Sequence, residues 1–267
     1  MTCLADGFRW VDTAADWQKL AGCLAFIDDL ADFRAYKDQA IDGLGLTAAS
    51  RVADVACGLG FDLVRLQRRA PLGQVVGFDA SRALLAAARQ QLAGCDGVAL
   101  LAADARRLPC ADGVFDAVRI DRALQHIEAP GMVVAEMKRV TRPGGIVAAS
   151  EPDWASFSLG ADDDPAVTTI IAEWTAGFRN PRIGRQLAAL FAVGGLATSG
   201  HLTQTIIVRD WIAADRVFDI TETIRRCVTK GLIDAPTAER TVASMIEHAG
   251  NGHFAARLVI HTVTGRM

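Results

Sequence analysis

A glycine-rich turn is the strongest chemical signal in this sequence. The segment from Val52 to Asp62 is VADVACGLGFD, in which Gly58 and Gly60 stand between a predicted buried strand and a predicted helix. Glycine lets a ligand approach the backbone closely. At the carboxyl end of the first strand of an open α/β sheet, such a turn lies where these sheets bind ligands. The turn alone is equally compatible with an ordinary tight connection between a strand and a helix.

Acidic side chains end or follow the next predicted strands. Asp79 ends the second strand, where a carboxylate can accept both hydroxyls of a ribose. An aspartate in this position can also cap the next helix, although Ser81 is already placed to do so. Asp104 follows the third strand and Asp121 follows the fourth. The carboxyl ends of parallel strands share one edge of a sheet, so we expect these groups to lie together.

Three side chains are candidates for proton transfer or for holding a substrate. His126 follows the fourth predicted strand, and histidine is suited to general base catalysis near neutral pH; it could instead pack the turn and bond Glu128. Glu151 and Asp153 come after the predicted fifth strand, next to Trp154, and could hold a substrate amine or hydroxyl. Bonding to neighbouring loop backbone is the alternative for both carboxylates.

The elements that must position these residues follow from the hydrophobic pattern. An amphipathic helix is predicted over residues 14–44, ended by Gly43 and Gly45. Short apolar runs then alternate with helical ones, which indicates βαβ units and a parallel sheet. Ser81 caps a predicted helix, and Pro130 suits the first turn of another. The predicted strands are Val52–Ala56, Val75–Phe78, Val98–Ala102, Phe115–Ile120, Ile146–Ala149, Thr205–Arg209 and Phe254–Thr264.

The glycine-rich segment resembles motif I of the class I S-adenosylmethionine methyltransferases, an aspartate followed by G-x-G-x-G. Asp54 matches the aspartate, and Ala56, Gly58 and Gly60 occupy the three glycine positions. Ala56 departs from the motif, and its methyl group is accommodated if its φ stays below zero. Residues 139–146, RVTRPGGI, resemble the R-V-L-[RK]-P-G-G segment of the methyltransferase type 11 domain. The resemblance covers residues 50–152.

The resemblance implies S-adenosylmethionine as cofactor and S-adenosylhomocysteine as product. It implies that Asp79 binds the ribose and that the acidic side chain of Asp104 faces the adenine amine. Arg34 could pair with the methionine carboxylate, although a solvated helix face is the favoured interpretation for it. The cofactor residues implied are Arg34, Asp54, Ala56, Cys57, Gly58, Gly60, Asp79, Ala80, Ser81, Asp104, Ala105, Asp121, Arg122 and Gln125.

The expected fold class is α/β, a doubly wound, Rossmann-like, mostly parallel seven-stranded sheet with helices on both faces and a helical lid. We expect residues 1–45 to form an N-terminal helical lid segment and residues 46–155 the cofactor-binding core. Residues 156–190 would be a lid insertion. Residues 191–267 would complete the α/β core with C-terminal antiparallel strands.

Composition narrows the classes of partner. The 28 basic and 31 acidic residues create no field that would gather nucleic acid or an anionic membrane surface. No N/D-P-P-Y/F motif follows the fourth strand, where DRAL stands, so a nucleic acid substrate is not expected. The six cysteines form no C-x-x-C pair, which argues against a metal site. Without a signal-like N-terminus or a membrane span, a cytoplasmic protein is expected, and the amphipathic N-terminal helix is compatible with a homodimer.

The function expected is methyl transfer to a small-molecule acceptor on O, N or C by in-line displacement. A second hypothesis is an S-adenosylmethionine-binding enzyme of the same fold that catalyses a non-transfer step such as cyclisation, which Ala56 keeps open. A dehydrogenase is disfavoured because Leu63 stands where the dinucleotide fingerprint needs a third glycine. A non-enzymatic binding protein is the fourth alternative.

Overall fold

Seven strands form one sheet in the order β3-β2-β1-β4-β5-β7-β6. The computed structural model describes residues 7–8, 11–13, 17–160 and 164–267. Strands β1 to β5 are parallel, and β7 runs antiparallel to both of its neighbours. The predicted fold class is thereby confirmed. The strands are β1 Arg51–Val55, β2 Gln74–Asp79, β3 Val98–Ala102, β4 Phe115–Asp121, β5 Thr141–Leu159, β6 Ala197–Val208 and β7 Ala256–Arg266.

The fifth strand is much longer than the sequence indicated. Ile146–Ala149 was the predicted run, but β5 continues through Leu159 because β7 pairs with it as far as Asp153 and again from Ser158. This pairing satisfies backbone groups in a polar stretch that has no strand-like apolar pattern. Glu151 and Asp153 therefore lie within a strand rather than in a loop after it.

The N-terminal helical segment is divided in two. Helices α1 (Trp17–Asp29) and α2 (Ala31–Asp42) meet at Leu30, which has an extended backbone with φ −77° and ψ 130°. Gly43 ends α2, as predicted. The predicted start of this segment, residues 14–16, lies outside the described residues.

Helices cover both faces of the sheet. On one face, α2 packs with α3 (Phe61–Arg69) and α4 (Arg82–Gln91) around Val52 and Val75. On the other, α5 (Pro130–Val140) and α7 (Ile183–Val193) pack against Val118 and Val147. The predicted start of α4 is confirmed, since Ser81 Oγ accepts a hydrogen bond from Leu84 N at 3.1 Å.

A third apolar cluster lies above the carboxyl end of the sheet. It joins α1 and α2 to α6 (Pro165–Thr175), α8 (Trp211–Phe218), α9 (Ile220–Thr229) and α10 (Ala235–Gly250). The lid insertion was expected to span residues 156–190, but the helices of this layer do not coincide with that range. Residues 156–159 belong to β5, and α7 packs on the sheet. Helices α8 to α10 join the helical layer instead. The burial of apolar side chains, and not the order of helices along the chain, decides which helices pack together.

The described part of the chain has neither a membrane-spanning helix nor a metal-binding cluster of side chains. No helix in it is long and apolar enough to cross a membrane. No group of three or more His, Cys, Asp or Glu side chains in the same ranges is arranged to hold a metal ion. The described cysteines, Cys23, Cys57, Cys95, Cys110 and Cys227, are free thiols.

Candidate active site

A cavity of about 580 Å³ opens at the carboxyl ends of β1 to β4. Its volume lies within the range of about 300–1,000 Å³ that is usual for small-molecule sites. The structure brings together here nearly all of the residues that the resemblance implied for the cofactor. Those that line it are Asp54, Ala56, Cys57, Gly58, Asp79, Ala80, Ser81, Asp104, Ala105, Asp121, Arg122 and Gln125, together with the catalytic candidate His126.

The turn after β1 takes a left-handed backbone at three positions. Gly58 and Gly60 have φ values of +54° and +77°, and Ala56 has +57°. The condition under which the Ala56 methyl group would be accommodated, a φ below zero, is therefore not met. The tight turn from β1 into the loop imposes the glycine conformation on an alanine, at a cost of about 1–2 kcal/mol. Strain of this kind collects at functional sites.

Ala56→Gly is expected to stabilise the protein by about 0.5–1 kcal/mol. Glycine removes the left-handed strain but adds conformational entropy to the unfolded chain, so only part of the strain energy is recovered. Ala176→Gly is the matched control, because Ala176 has φ −63° at the end of α6 and should lose stability instead. Urea unfolding measures both variants, and a destabilised Ala56→Gly protein would contradict the strain argument.

Asp79, at the end of β2, is held by the backbone around it. Its Oδ2 accepts from Gly58 N at 2.8 Å and its Oδ1 accepts from Ser81 N at 2.8 Å. Burial raises the pKa of Asp79, and these two N–H donors oppose the rise. Each carboxylate oxygen has further lone pairs, so Asp79 can still accept bonds from a ligand in the cavity that it lines.

Asp12 belongs to a short 3-10 turn, Val11–Thr13, beside the start of α4. It accepts hydrogen bonds from Arg82 N at 2.9 Å, from Ala83 N at 3.2 Å and from the Ser81 hydroxyl. Asp12 also lines the cavity. A described part of the N-terminal segment thus lies against the proposed ribose side of the site, which the sequence did not indicate.

Asp104, after β3, is already engaged by its neighbour. Arg106 donates to both carboxylate oxygens, with Nη2 to Oδ2 at 2.6 Å and Nε to Oδ1 at 3.0 Å. The Arg106 bonds hold the pKa of Asp104 below its usual range. An adenine amine would therefore share this carboxylate with an exposed guanidinium.

The end of β4 supplies Asp121 and Arg122. Tyr36 donates its hydroxyl to Asp121 at 3.0 Å, which fixes the carboxylate. Arg122 has φ +51°, the second non-glycine residue of the cavity wall in the left-handed region. Its guanidinium lies 5.3 Å from the centre of the Phe33 ring, and its buried Nε has no hydrogen-bond acceptor among the described residues.

A buried charge cluster supports the glycine-rich turn from below. Arg119, on the central strand β4, donates from Nη1 to Asp54 at 3.1 Å and to Asp62 at 2.9 Å. Burial raises the pKa of Asp54 to about 7 against the pull of Arg119. Burial acts the same way on Asp62, but Lys37 and Arg119 outweigh it and bring the pKa of Asp62 well below its usual range.

Lys37 and not Arg34 is the basic residue that α2 contributes to the cavity. Arg34 is exposed and does not line the cavity, whereas Lys37 is 6% exposed and does. The Lys37 Nζ lies 2.8 Å from Asp62 and 3.5 Å from Asp121. The two residues differ by three positions along α2, and only packing against the sheet decides which one faces inward.

Glu151 and Asp153 do not line the cavity and are bound elsewhere. Glu151 is fully buried and accepts from the backbone N of Ala123 at 2.8 Å and of Leu124 at 2.6 Å, so it holds the turn that carries His126. Asp153 accepts from Arg185 Nε at 2.7 Å. These contacts leave neither carboxylate facing a substrate, and they favour the structural alternative for both.

His126 lies in the 3-10 turn Leu124–His126 and lines two cavities. Its ring is 5.5 Å from the ring of Phe8 and 5.5 Å from that of Phe178. Gln125 beside it accepts from Trp154 Nε1 at 2.6 Å and donates to Arg122 O at 2.8 Å, which gives Gln125 a structural part in the wall. The histidine thus lies between the large cavity and an aromatic region.

Lys37, Arg119 and Asp12 are among the site-forming residues that were not predicted from the sequence, as are Asp62 and Arg106. Arg119 is a charged residue within the apolar run of β4. Because a buried charge requires partners, the sequence carried a signal for its role. Lys37 and Asp12 carried no such signal, because their role depends on which way a helix and a turn pack.

Comparisons with known proteins agree with this architecture. Residues 53–149 match the family described as methyltransferase domain, type 11. An uncharacterized 37.1 kDa protein in transposon TN4556 of Streptomyces fradiae is 32% identical over 250 residues, which cover 91% of this chain and 71% of that protein. Demethylmenaquinone methyltransferase of Beutenbergia cavernae is 36% identical over 127 residues, 46% of this chain and 51% of the relative. The chain thus matches only about half the length of that enzyme.

Solved structures share the fold at low sequence identity. A methyltransferase structure from Bacillus halodurans superposes with a TM-score of 0.62 at 18% identity, covering 87% of this chain and 98% of the other. The [4+2]-cyclase SpnF superposes with a TM-score of 0.56 at 20% identity, covering 88% and 81%.

The sheet order with β7 antiparallel, and the glycine-rich turn that leads to acidic strand ends, accompany the family match over residues 53–149. This chain belongs to the class I S-adenosylmethionine-dependent methyltransferases, in the type 11 domain family.

Proposed function

We propose that this chain binds S-adenosylmethionine in the 580 Å³ cavity and transfers its methyl group to a small-molecule acceptor. The observation that carries the proposal is that one cavity collects the glycine-rich turn and the acidic ends of β2, β3 and β4. The names of relatives such as demethylmenaquinone methyltransferase support a small-molecule acceptor.

The residues of the cavity fit this cofactor by charge and shape. The left-handed Gly58 lets the methionine part pass close to the backbone, and Asp79 has free lone pairs for two ribose hydroxyls. Lys37 and Arg122 are the two cations that line the cavity near Asp121, and a ligand carboxylate would share Lys37 with Asp62. Asp121, held by Tyr36, would accept from the ammonium group.

When bound, S-adenosylmethionine supplies an electrophilic methyl carbon on a sulfonium. The chain has to hold the acceptor in line with that carbon and exclude water. Helices α1 and α2, with the layer of α6 and α8–α10, are proposed to be the lid that does so. His126 is placed to take a proton from an acceptor hydroxyl, phenol or amine.

Calorimetric titration with S-adenosylmethionine and S-adenosylhomocysteine, after mass spectrometry for carried-over ligand, tests the cofactor site. Binding of both at micromolar concentrations is expected. An acceptor screen that follows radiolabelled methyl then separates transfer from the second candidate, cyclisation, which yields a product without the label. Folded, ligand-free protein that binds neither compound would refute the proposal.

Asp79→Ala is expected to weaken S-adenosylmethionine binding about 10- to 100-fold, because it leaves ribose hydroxyls unpaired in a closed site. Asp79 also holds Gly58 N, so thermal unfolding must show that the variant is folded. Asp42→Ala removes a carboxylate whose side chain is 65% exposed and should bind normally. If Asp79→Ala binds S-adenosylmethionine as tightly as the wild type, Asp79 does not bind the ribose.

Lys37→Met is expected to weaken cofactor binding about tenfold or more, while Arg34→Ala leaves it unchanged, because only Lys37 lines the cavity. Arg65→Met is the matched control. Arg65 also pairs with Asp62, at 2.8 Å, but does not line the cavity, so its loss changes the charge of the cluster without removing a ligand contact. If Lys37→Met and Arg65→Met weaken cofactor binding equally, the effect comes from the charge of the cluster and not from a contact between Lys37 and the cofactor.

A further inference from the structure

The turn that carries His126 is held by two side chains, one on each side of its backbone. On the first side, Glu151 accepts hydrogen bonds at 2.8, 2.6 and 3.3 Å from the backbone N–H groups of Ala123, Leu124 and Gln125. The first N–H groups of a helical turn have no acceptor within the turn, so a side chain has to supply one. The N–H side of the turn is therefore fixed to strand β5.

Asn180 binds the opposite, carbonyl side of the same turn. It lies in the connection between α6 and α7. Its Nδ2 donates to Leu124 O at 2.8 Å and to Ile127 O at 2.6 Å, and its backbone N donates to Gln125 O at 3.0 Å. One residue thus bonds three carbonyl groups, which belong to residues on both sides of His126 along the chain.

The connection that carries Asn180 is itself fixed to the sheet. Trp154 N, on β5, donates to Pro181 O at 2.8 Å. Gly184, near the start of α7, approaches β5 so closely that a Cβ atom there would lie 2.6 Å from Glu151 O. Only a residue without a side chain permits this approach. Asn180 is therefore anchored to β5, and it holds the turn from an anchored position.

The turn needs this support because the residue that leads into it is strained. Arg122 has φ +51°, and a non-glycine residue keeps a left-handed backbone only where its surroundings hold it there. Gln125 Nε2 donates to Arg122 O at 2.8 Å, which is one of the bonds that do so. Without the bonds from Asn180, we expect the turn to relax and the His126 ring to change direction.

We infer that Asn180 is a positioning residue for methyl transfer, which acts through His126 by binding the carbonyl groups of its turn. The inference rests on the proposed function, because it takes His126 as the group that accepts the proton. Asn180 lines neither the large cavity nor the small aromatic cavity that also has His126 in its wall. Its loss should therefore lower turnover and leave the affinities for cofactor and acceptor nearly unchanged.

Asn180→Ala is expected to lower kcat about 10- to 100-fold with an acceptor from the screen, because a misplaced catalytic group can cost a factor of about 10². The KM for the acceptor and the affinity for S-adenosylhomocysteine should change little. Asn180→Asp keeps the size of the side chain but places a carboxylate against the carbonyls of Leu124 and Ile127, and should lose at least as much. Asn251→Ala is the matched control, because Asn251 is exposed after α10 and should keep wild-type kinetics.

The double variant Asn180→Ala/His126→Ala separates positioning from a general loss of structure. If Asn180 acts through His126, the double variant has the same kcat as His126→Ala, because the effects of residues that act as a unit do not add. Two losses that multiply would overturn the inference, as would a wild-type kcat in Asn180→Ala.

Hydrogen–deuterium exchange followed by mass spectrometry tests the same contacts without an acceptor. The amides of residues 123–125 are bonded to Glu151 and exchange when the turn opens. We expect faster exchange in residues 123–127 of Asn180→Ala and wild-type exchange in Asn251→Ala. Unchanged exchange in Asn180→Ala would overturn the inference. Folded wild type that does not bind S-adenosylhomocysteine refutes the proposed function, whereas binding together with a wild-type kcat in Asn180→Ala refutes only the role of Asn180.

Discussion

Replacing Arg119 with methionine is expected to lower the free energy of unfolding by about 3–5 kcal/mol. Arg119 is 2% exposed and is the cation that bonds both Asp54 and Asp62 beneath the glycine-rich turn. Without it, Asp54 keeps only distant positive charge and Asp62 keeps Lys37 and Arg65. Removing one member of a buried ion network leaves an uncompensated charge, which costs far more than the network contributes as a whole.

Urea unfolding measures this loss, and Arg142→Met is the control. Arg142 also bonds an aspartate, with Nε 2.6 Å from Asp116, but its side chain is 51% exposed. Water screens such a pair, so less than about 1 kcal/mol should be lost. Adding Asp54→Asn to Arg119→Met removes the stranded charge and should restore part of the stability. A loss below about 1 kcal/mol in Arg119→Met would show that the cluster relaxes or admits water.

His126→Ala is expected to lower turnover about 100-fold or more while cofactor affinity changes little, because a positioned base typically contributes a factor of about 10²–10⁴. The ring lies at the junction of the cofactor cavity and the aromatic cavity. The measurement is the steady-state rate with an acceptor from the screen, together with titration of S-adenosylhomocysteine.

His201→Ala is the matched control, since His201 is exposed and bonds His261 at 3.1 Å on the β6–β7 pair, outside both cavities. Its turnover should equal that of the wild type. His126→Gln keeps a polar side chain of similar reach and distinguishes a base from a wall of the aromatic pocket. Full turnover in His126→Gln would remove the base role and leave His126 as a packing residue against Phe8 and Phe178.

The candidate site was predictable where a residue's role follows from its place at a strand end. Asp79, Asp104 and Asp121 come at or after the ends of parallel strands, and parallel strands end at one edge of the sheet. Glu151 and Asp153 were misplaced because β5 continues beyond its apolar run. Its continuation depends on pairing with β7, a segment more than a hundred residues away whose pairing no local pattern reveals.

Local sequence patterns were enough to predict the class of fold, the order of the core elements and the edge of the sheet at which a cofactor would bind, because hydrophobic periodicity and turn residues act locally. Three other features could not be predicted locally: Ala56 takes a left-handed backbone, Lys37 rather than Arg34 faces inward, and Arg119 pairs with Asp54. Those outcomes depend on packing between segments far apart in the chain, where a small rotation of a helix exchanges a buried side chain for an exposed one.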